Sequence, residues 1–442
     1  MSKFFWFLLL VIMQFPSVSY SSDSIQKSNE INGSITIYCG QLIDGNNDRV
    51  LKNQLITILD GVIDNIMYQN PNQKLNKSTL NLSDYYCLPG LIDTHTHITE
   101  KAGDTADLSV YFTMTRDEAR RISEKNALTT INAGFTSVRN VGSYIAWSAR
   151  DLRDRINQGY VIGPRVQTAG FYLTVPGGGG DLLLPDYPEE KIPSYLREGV
   201  SKNAQEFKEN AEKAVEGGAD FLKILASGAV LAFDGVPGAP EMSQEEIAAV
   251  VSVARNAGIK VTSHAHGAQS IKDSILAGVD SIEHASLADQ EAIELAASHD
   301  VAFSMDVYNG DHARAVGEEE GWPDEFMRKM NETTDAQRDV FSRALVAGVP
   351  ITFGTDAAVY PHGDNARQFS IMVRHGMTPM QAIKSATSIA AKYIGWGEKV
   401  GSIKKNFLGD LIAIKKNPLE DISVLENVDI VVKGGVVVMG ME

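Results

Sequence analysis

The feature that most constrains the fold is a regular alternation that begins at Leu88. Short runs rich in β-branched and apolar residues are each followed by a turn and a longer segment with helical spacing. Two of those segments begin with a capping-box pattern, Ser243 with Glu246 and Thr378 with Gln381. Eight such runs are present, at 88–97, 134–142, 163–170, 218–226, 258–267, 278–285, 300–308 and 348–357.

Eight strands separated by helices are typical of a (β/α)₈ barrel, which usually takes about 250 residues. The chain of 442 residues has room for one such barrel and a smaller unit. We therefore predict an α/β fold with a (β/α)₈ TIM barrel over residues 88–397.

The two flanks of this region have a different pattern. Residues 34–65 and 402–439 contain short alternating strands that are broken by Asp-Gly and Gly-Gly turns. They resemble two halves of one small unit, into which the barrel is inserted. The predicted second domain is a β-sandwich built from residues 22–87 and 398–442.

The first residues predict a signal peptide at 1–21. Lys3 precedes an apolar stretch from Phe4 to Met13, and small and polar residues follow near Ser21. The alternative is a membrane anchor, but the stretch is shorter than the roughly 20 residues that cross a bilayer. We expect a secreted or periplasmic protein with no stable membrane insertion.

Charge and cysteine content narrow the partners and the cross-links. The formal net charge is −16 and no cluster of Lys and Arg stands out, so a nucleic-acid partner is not expected. The only cysteines, Cys39 and Cys87, could form a disulfide in an oxidising compartment. Both lie in apolar sequence, and two separate buried thiols are the favoured interpretation.

Imidazole, amine and carboxylate groups occur in or at the ends of the predicted barrel strands. Five of the nine histidines end three of those strands. Each residue alone has an ordinary explanation, such as an exposed histidine, a surface lysine or a helix-capping aspartate. Together they predict a metal site, because the carboxyl ends of barrel strands converge and residues two apart share one face. The residues are His95, His97, Lys223, His264, His266, His284 and Asp356.

The short stretches that carry these residues resemble the amidohydrolase superfamily. LPGLIDTHTH, FLKILASG, VTSHAHG, DSIEHA and FGTDA are similar to its strand-end signatures. GGGGD at 177–181, HAHG and YPHGDNARQF resemble the imidazolonepropionase-like branch, especially its secreted metallo-carboxypeptidases and dipeptidases. One departure is that related dipeptidases often carry a histidine in the loop that reads GGGGD here.

The resemblance implies two divalent metal ions, of which zinc is the expected element. His95, His97 and Asp356 would hold the first ion, and His264 and His284 the second. Lys223, carboxylated by CO₂, would bridge them as a carbamate. Asp356 would also act as general base and then general acid, and His266 would contact the substrate and donate to the developing oxyanion.

The resemblance implies that the substrate is a dipeptide, short peptide or N-acyl amino acid from which the C-terminal residue is released, and Arg or Lys is the favoured residue. Arg139 and Tyr308 end two strands and are candidates to bind the α-carboxylate. The alternatives are structural roles. Arg139 would then pair with a barrel carboxylate, and Tyr308 would cap the core. Asp306, or Asp311 after it, is the candidate partner for a released Arg or Lys, and His362 is predicted to line the mouth.

Two other functions stay open at this point. A hydrolase or deaminase of cyclic amides or heterocycles is the first, although the deaminases of the superfamily usually lack the lysine and use one metal ion. A non-catalytic scaffold of the same fold is the second, but such proteins tend to lose ligands. Homo-oligomerisation is possible, since the superfamily often forms symmetric assemblies.

Overall fold

The computed structural model describes residues 33–185 and 187–440. The predicted signal peptide therefore lies outside the described residues. The described chain alternates strands and helices between two flanking groups of strands. In chain order the strands are β1 Ser34–Leu42, β2 Leu51–Leu59, β3 Val62–Tyr68, β4 Thr79–Pro89, β5 Leu91–Thr96, β6 Phe135–Asn140, β7 Arg165–Thr168, β8 Phe221–Leu225, β9 Lys260–Gly267, β10 Ser281–Leu287, β11 Ala302–Ser304, β12 Ile351–Thr352, β13 Leu411–Ile414, β14 Ile430–Lys433 and β15 Val436–Met439.

The helices follow the strands of the central region. Ser243 and Thr378 begin two of them through the predicted capping boxes, in which each side chain accepts from a backbone N–H three residues ahead. Within the described ranges, no helix has the length and apolar character that a membrane crossing requires. The helices are α1 Val110–Thr113, α2 Arg116–Asn132, α3 Ser148–Asn157, α4 Ala204–Glu216, α5 Gln244–Ala257, α6 Ala268–Ala277, α7 Gln290–Ser298, α8 Asn309–Glu320, α9 Asp324–Ala347, α10 Gln368–Arg374, α11 Pro379–Ser385 and α12 Ser388–Tyr393.

The eight central strands are parallel and lie in chain order. They form one sheet of β5, β6 and β7 and another of β8 to β12. Isolated parallel bridges join Thr96 to Ala357 and Leu173 to Ile224. Each of the eight predicted runs contains one of these strands, although β11 and β12 have only three and two residues. The architecture is TIM-barrel-like, with a separate sheet domain.

The separate domain is one mixed sheet of seven strands, in the order β15-β14-β13-β4-β1-β2-β3. Its strands come from both ends of the described chain, as the flanking patterns predict. The prediction of a sandwich is corrected in one respect, because the hydrogen bonding between neighbours is continuous and does not divide the strands into two sheets. Their buried apolar side chains form one core that includes Ile37, Ile58 and Val432.

Cys39 and Cys87 form a disulfide bond, so the favoured interpretation of two free thiols is wrong. Cys39 lies on β1 and Cys87 on β4, which pair in parallel, and their Cα atoms are 6.0 Å apart. Both side chains are fully buried in the core of the seven-stranded sheet. Apolar sequence around a cysteine indicates burial, but it does not indicate that two strands 48 residues apart in the chain are neighbours.

We expect the Cys39→Ser/Cys87→Ser variant to lose about 2–4 kcal/mol of unfolding free energy, because the bond restricts the unfolded chain. Urea unfolding of both proteins measures this difference. The active-site residues described below lie elsewhere, so the activity of the folded variant should match that of the wild type. A variant as stable as the wild type would contradict the stabilising role of this bond.

Candidate active site

A cavity of about 140 Å³ lies where the parallel strands end. Side chains from β5, β8, β9, β10 and the segment after β12 point into it. The structure thus brings all six predicted metal ligands and His266 together in one place, although they are spread over more than 260 positions of the sequence. The predicted residues that line the cavity are His95, His97, Lys223, His264, His266, His284, Asp306 and Asp356.

The imidazoles are close enough to share metal ions. One ligand atom from each of His264, His266 and His284 lies within 4.8 Å of the others, and the same holds for His95, His284 and Asp356. His284 belongs to both groups, and its ring centroid is 4.9 Å from that of His95 and 4.4 Å from that of His264. Imidazole and carboxylate donors at this spacing are a usual ligand set for zinc.

Four of the histidines are fixed through their Nδ1 atoms by a neighbouring oxygen. Such a contact sets the ring orientation and the tautomer, and it leaves Nε2 for a ligand. This is the arrangement that metal-binding histidines commonly show. The Nδ1 contacts are His95 to Glu283 at 2.7 Å, His97 to the Tyr172 hydroxyl at 2.9 Å, His266 to the Ser286 hydroxyl at 2.9 Å and His284 to Asp306 at 2.9 Å.

The Nε2 atom of His264 is buried and has no hydrogen-bond partner within the described structure. A buried polar atom without a partner is unfavourable, so it indicates a ligand that completes the site. Burial, followed by the neighbouring His284 and His266, holds the pKa of His264 well below its usual value. The ring is therefore neutral at physiological pH, which is the form that binds a metal ion. The residues present fit a metal site.

Asp356 faces the two histidines of β5. Its Oδ1 lies 3.1 Å from Nε2 of both His95 and His97. Burial raises its pKa, but the charges and hydrogen bonds of these histidines outweigh burial and hold the pKa well below the usual range. Asp356 and His284 both have positive φ, 59° and 69°, a conformation that L-residues with side chains rarely adopt. Strained backbone of this kind is concentrated at functional sites.

Lys223 is the buried amine of the cavity. It lies on β8, and only 2% of its surface is exposed. Burial lowers the pKa of its ammonium to about 8, against the opposing effect of Glu283 and Asp356. A substantial fraction of the side chain is thus neutral near pH 8, which is the form that reacts with CO₂.

Arg139 does not face a substrate. Its guanidinium is buried and donates to Glu283 at 2.6 Å, to the Thr94 carbonyl at 2.6 Å and to Ser281 at 3.3 Å. The prediction that it binds a substrate carboxylate is therefore wrong, and the alternative pairing with a barrel carboxylate is correct. Arg139 is directed at Glu283 and neutralises its charge. Glu283 in turn fixes the orientation of His95.

Glu283 is the residue of the site that sequence reasoning missed most clearly. It stands directly before His284, and consecutive residues of a regular strand point to opposite faces. The pairing of β10 with β9 is irregular after His284, which has positive φ together with Ala285. This local break lets Glu283 contact His95 while His284 lines the cavity. An acidic residue beside a predicted ligand was the only signal available.

Asp306 lines the cavity but is fully engaged with protein groups. It accepts from His284 Nδ1 at 2.9 Å, from Asn309 at 2.6 Å and from Gln337 at 2.8 Å. Its position therefore fits an orienting role toward His284 and not the predicted pocket for a substrate cation. Asp311 pairs with Arg338 at 2.7 Å and does not line the cavity.

Two further predicted residues lie outside the cavity lining. The Tyr308 hydroxyl accepts from Arg367 at 3.3 Å and its ring packs on Tyr360, so its contacts match the structural alternative. His362 is buried behind β5, where Nε2 lies 3.2 Å from the His97 carbonyl and Nδ1 lies 3.2 Å from the Thr130 hydroxyl. The prediction that His362 lines the mouth is wrong, because its side chain turns toward α2.

Parallel strands that carry histidines, an aspartate and a buried lysine at one end fit the class of metal-dependent hydrolases, in which a bound ion activates water. The comparison with known families agrees with this class. Residues 86–438 match the model of the amidohydrolase family, and the chain belongs to that family. Its members are hydrolases of amide C–N bonds, and they typically bind metal.

The chain is similar to an enzyme of named activity and to proteins of known crystal structure. The ochratoxinase of Aspergillus niger is 29% identical over 414 residues, which cover 88% of this chain and 83% of that protein. A crystal structure of a Xaa-Pro dipeptidase with methionine bound in its active site is 36% identical, with a TM-score of 0.86, over 92% of this chain and 100% of the other. A prolidase complexed with N-methylphosphonate-L-proline is 26% identical, with a TM-score of 0.85 and the same coverage.

Proposed function

We propose that the protein is a metal-dependent hydrolase that cleaves the amide bond of a dipeptide or N-acyl amino acid and releases the C-terminal amino acid. The observation that carries this proposal is the cluster of imidazoles with fixed Nδ1 atoms around the unpartnered Nε2 of His264. The similarity to proteins named dipeptidase, prolidase and ochratoxinase supports an amide substrate that contains an amino acid.

The proposed ligands divide between two divalent ions, for which zinc suits the donor set. One ion is assigned to His95, His97 and Asp356, and the other to His264 and His284. Lys223, once carboxylated, would supply an oxygen ligand to each ion. Its ammonium first loses one proton, and the neutral amine then forms a bond to the carbon of CO₂ and loses a second proton, so that a cation that no metal would accept becomes an anionic carbamate.

Bound ions of this kind make a water nucleophile available at neutral pH and polarise the scissile carbonyl. Asp356 is placed to take the proton of the attacking water on a carboxylate oxygen and to deliver it to the departing amine. His266 is neutral, because burial lowers its pKa to about 3. With Nδ1 accepting from Ser286, its Nε2–H is free to donate to the developing oxyanion.

The cavity wall favours an apolar or prolyl C-terminal residue over Arg or Lys. The carboxylates proposed from sequence for a cationic pocket, Asp306 and Asp311, are satisfied by protein groups. The wall also contains apolar side chains, which stabilise an uncharged substrate side chain by excluding water. They include Leu108, Leu225, Val230, Leu231, Met330 and Val359.

Two broader inferences accompany this function. We infer that the eight parallel strands close into a complete barrel, and the isolated bridges beyond β7 and between the ends of β5 and β12 support this. We also infer secretion or periplasmic export, which the disulfide supports because such bonds persist in oxidising compartments.

The test is amino-acid release from dipeptides and N-acetyl amino acids that end in Pro, Leu, Met, Arg or Lys. We expect the zinc-loaded protein in bicarbonate buffer to release the apolar residues and Pro. Dialysis against a chelator should abolish release, and zinc should restore it. His264→Ala should be inactive, whereas the matched control His299→Ala, an exposed histidine next to α7, should match the wild type.

Other outcomes would change the assignment. Hydrolysis of lactams or other cyclic amides without release from any linear substrate would keep the metal site and replace the substrate class. Full activity after complete removal of metal would refute the proposal.

A further inference from the structure

Two more cavities adjoin the metal-site cavity and share its walls. Their volumes are about 250 Å³ and about 330 Å³, so each is larger than the cavity of about 140 Å³ at the histidines. Leu108 lines all three, and Tyr144, Gly179 and Leu231 line both the metal-site cavity and the first of the two. We call these two cavities together the annex. The shared walls place the annex directly beside the active-site cavity.

The annex is formed by loops that follow the strands and carry many apolar side chains. Phe233 packs on Phe326 with ring centroids 4.7 Å apart, and Lys329 donates to the Ala232 carbonyl at 2.8 Å and to the Asp234 carbonyl at 2.5 Å. These contacts hold one wall in place before any ligand binds. Other apolar residues of the lining are Leu182, Leu183, Leu184, Pro185, Tyr187 and Pro323.

The GGGGD stretch, whose role the sequence leaves open, forms the boundary between the two spaces. Gly179 lines both the metal-site cavity and the annex. A Cβ atom there would lie 2.8 Å from the Cβ of Ala229, and one at Gly178 would lie 2.7 Å from Glu241 Oε2. Glycine is required because the loop approaches the segment after β8 too closely for a side chain.

The charges show which part of a substrate suits the annex. Its lining in the described residues has carboxylates but no lysine or arginine, and they belong to Asp107, Asp181, Glu189 and Asp234. Arg197 neutralises two of the four by pairing with Asp181 and Glu189. The metal-site cavity also has carboxylates, those of Glu100, Asp104, Asp306 and Asp356, but it includes the amine of Lys101 and would hold the proposed metal ions, whose positive charge attracts an α-carboxylate. The α-carboxylate of the released amino acid is therefore disfavoured in the annex. The acyl group on the other side of the scissile amide bond is favoured there.

We propose that the annex binds the acyl side of the substrate and selects a large apolar group, aromatic ones above all. This inference rests on the proposed function and adds a preference to it. An apolar group that fills such a space gains transfer free energy in proportion to the area it buries. Amino acids acylated by a bulky ring system should thus be better substrates than their N-acetyl counterparts.

The test compares N-acetyl-leucine with N-(2-naphthoyl)-leucine as substrates of the zinc-loaded protein. We expect kcat/KM to be at least about tenfold higher for the naphthoyl compound, which is the scale of discrimination that apolar pockets reach. Leu184→Trp, which fills the annex, should lower this ratio at least tenfold. Leu128→Trp places the same side chain on an exposed position of α2 and should keep the wild-type ratio.

The second variant, Phe233→Ala, removes a wall and should also lower the ratio. Equal kcat/KM for the two compounds in the wild type, or an unchanged ratio in folded Leu184→Trp and Phe233→Ala, would overturn the inference and leave the proposed function intact. If neither compound nor any dipeptide is hydrolysed, the proposed function itself fails. Circular dichroism of each variant confirms that a changed ratio is not a result of misfolding.

Discussion

Replacing Lys223 by alanine is expected to lower kcat/KM for amino-acid release by at least about a thousandfold, equivalent to about 4 kcal/mol of transition-state stabilisation. The residue lines the cavity and is only 2% exposed. Without the carbamate, each of the two proposed ions loses an anionic ligand, and the ion assigned to His264 and His284 keeps only those two. Metal analysis of the purified variant should therefore give close to one equivalent, and that of the wild type close to two.

The chain offers a matched control for this experiment. Lys433 is half-buried, and this burial lowers its pKa to about 8 like that of Lys223, but it lies on β14 and donates to the Gly163 carbonyl. Lys433→Ala should keep the metal content and the activity. In ¹³C NMR with labelled bicarbonate, a carbamate signal should appear for the wild type and Lys433→Ala but not for Lys223→Ala. An active Lys223→Ala protein with two bound ions would contradict the assignment.

The Glu283→Gln substitution should have the second large effect, because one carboxylate serves two partners. It accepts from His95 at 2.7 Å and from Arg139 at 2.6 Å, and it is fully buried. The charges of Arg139 and His95 outweigh burial and hold the pKa of Glu283 well below its usual value. Loss of its charge leaves a buried guanidinium unpaired, which we expect to destabilise the fold by about 3–5 kcal/mol. Metal affinity should fall about 10–100-fold as His95 loses its orientation.

A double variant separates these two contributions. In Arg139→Met/Glu283→Gln the unpaired cation is gone, so much of the unfolding free energy should return. The orientation of His95 is not restored, and the loss of metal affinity should persist. Urea unfolding of the metal-free proteins and zinc titration measure the two quantities. Recovery of both in the double variant would show that Glu283 acts on the metal site only through stability.

The positions of the proposed metal ligands were predictable because they obey the periodicity of strands. His95 and His97, and likewise His264 and His266, are spaced by two and end apolar runs, so each pair points to one face. The alternation of strands and helices then indicates that these ends meet. Lys223 and Asp356 were found by the same reasoning.

The residues that hold those ligands were not predictable, because their contacts depend on irregular backbone and on distant pairings. Glu283 reaches His95 through a local break in β10, and Tyr172, which contacts His97, lies in a loop with no repeating pattern. Arg139 lies near the end of a strand, as a substrate ligand would, yet its guanidinium is buried against Glu283. The role of Arg139 depends on which group it contacts. The tertiary packing determines that contact, and the sequence pattern does not reveal it.

The seven-stranded sheet has a consequence for the order in which the chain folds. β4 pairs with β1, which is made early, and with β13, which is made only after the whole central region. The N-terminal strands and the disulfide between β1 and β4 can form while the remainder is still being synthesised, but one edge of β4 then stays open for more than 300 residues of translation. An unpaired edge of this kind invites strand addition by other chains. Completion of the protein therefore depends on the last strands, and truncation after α12 should yield aggregation and not a smaller soluble enzyme.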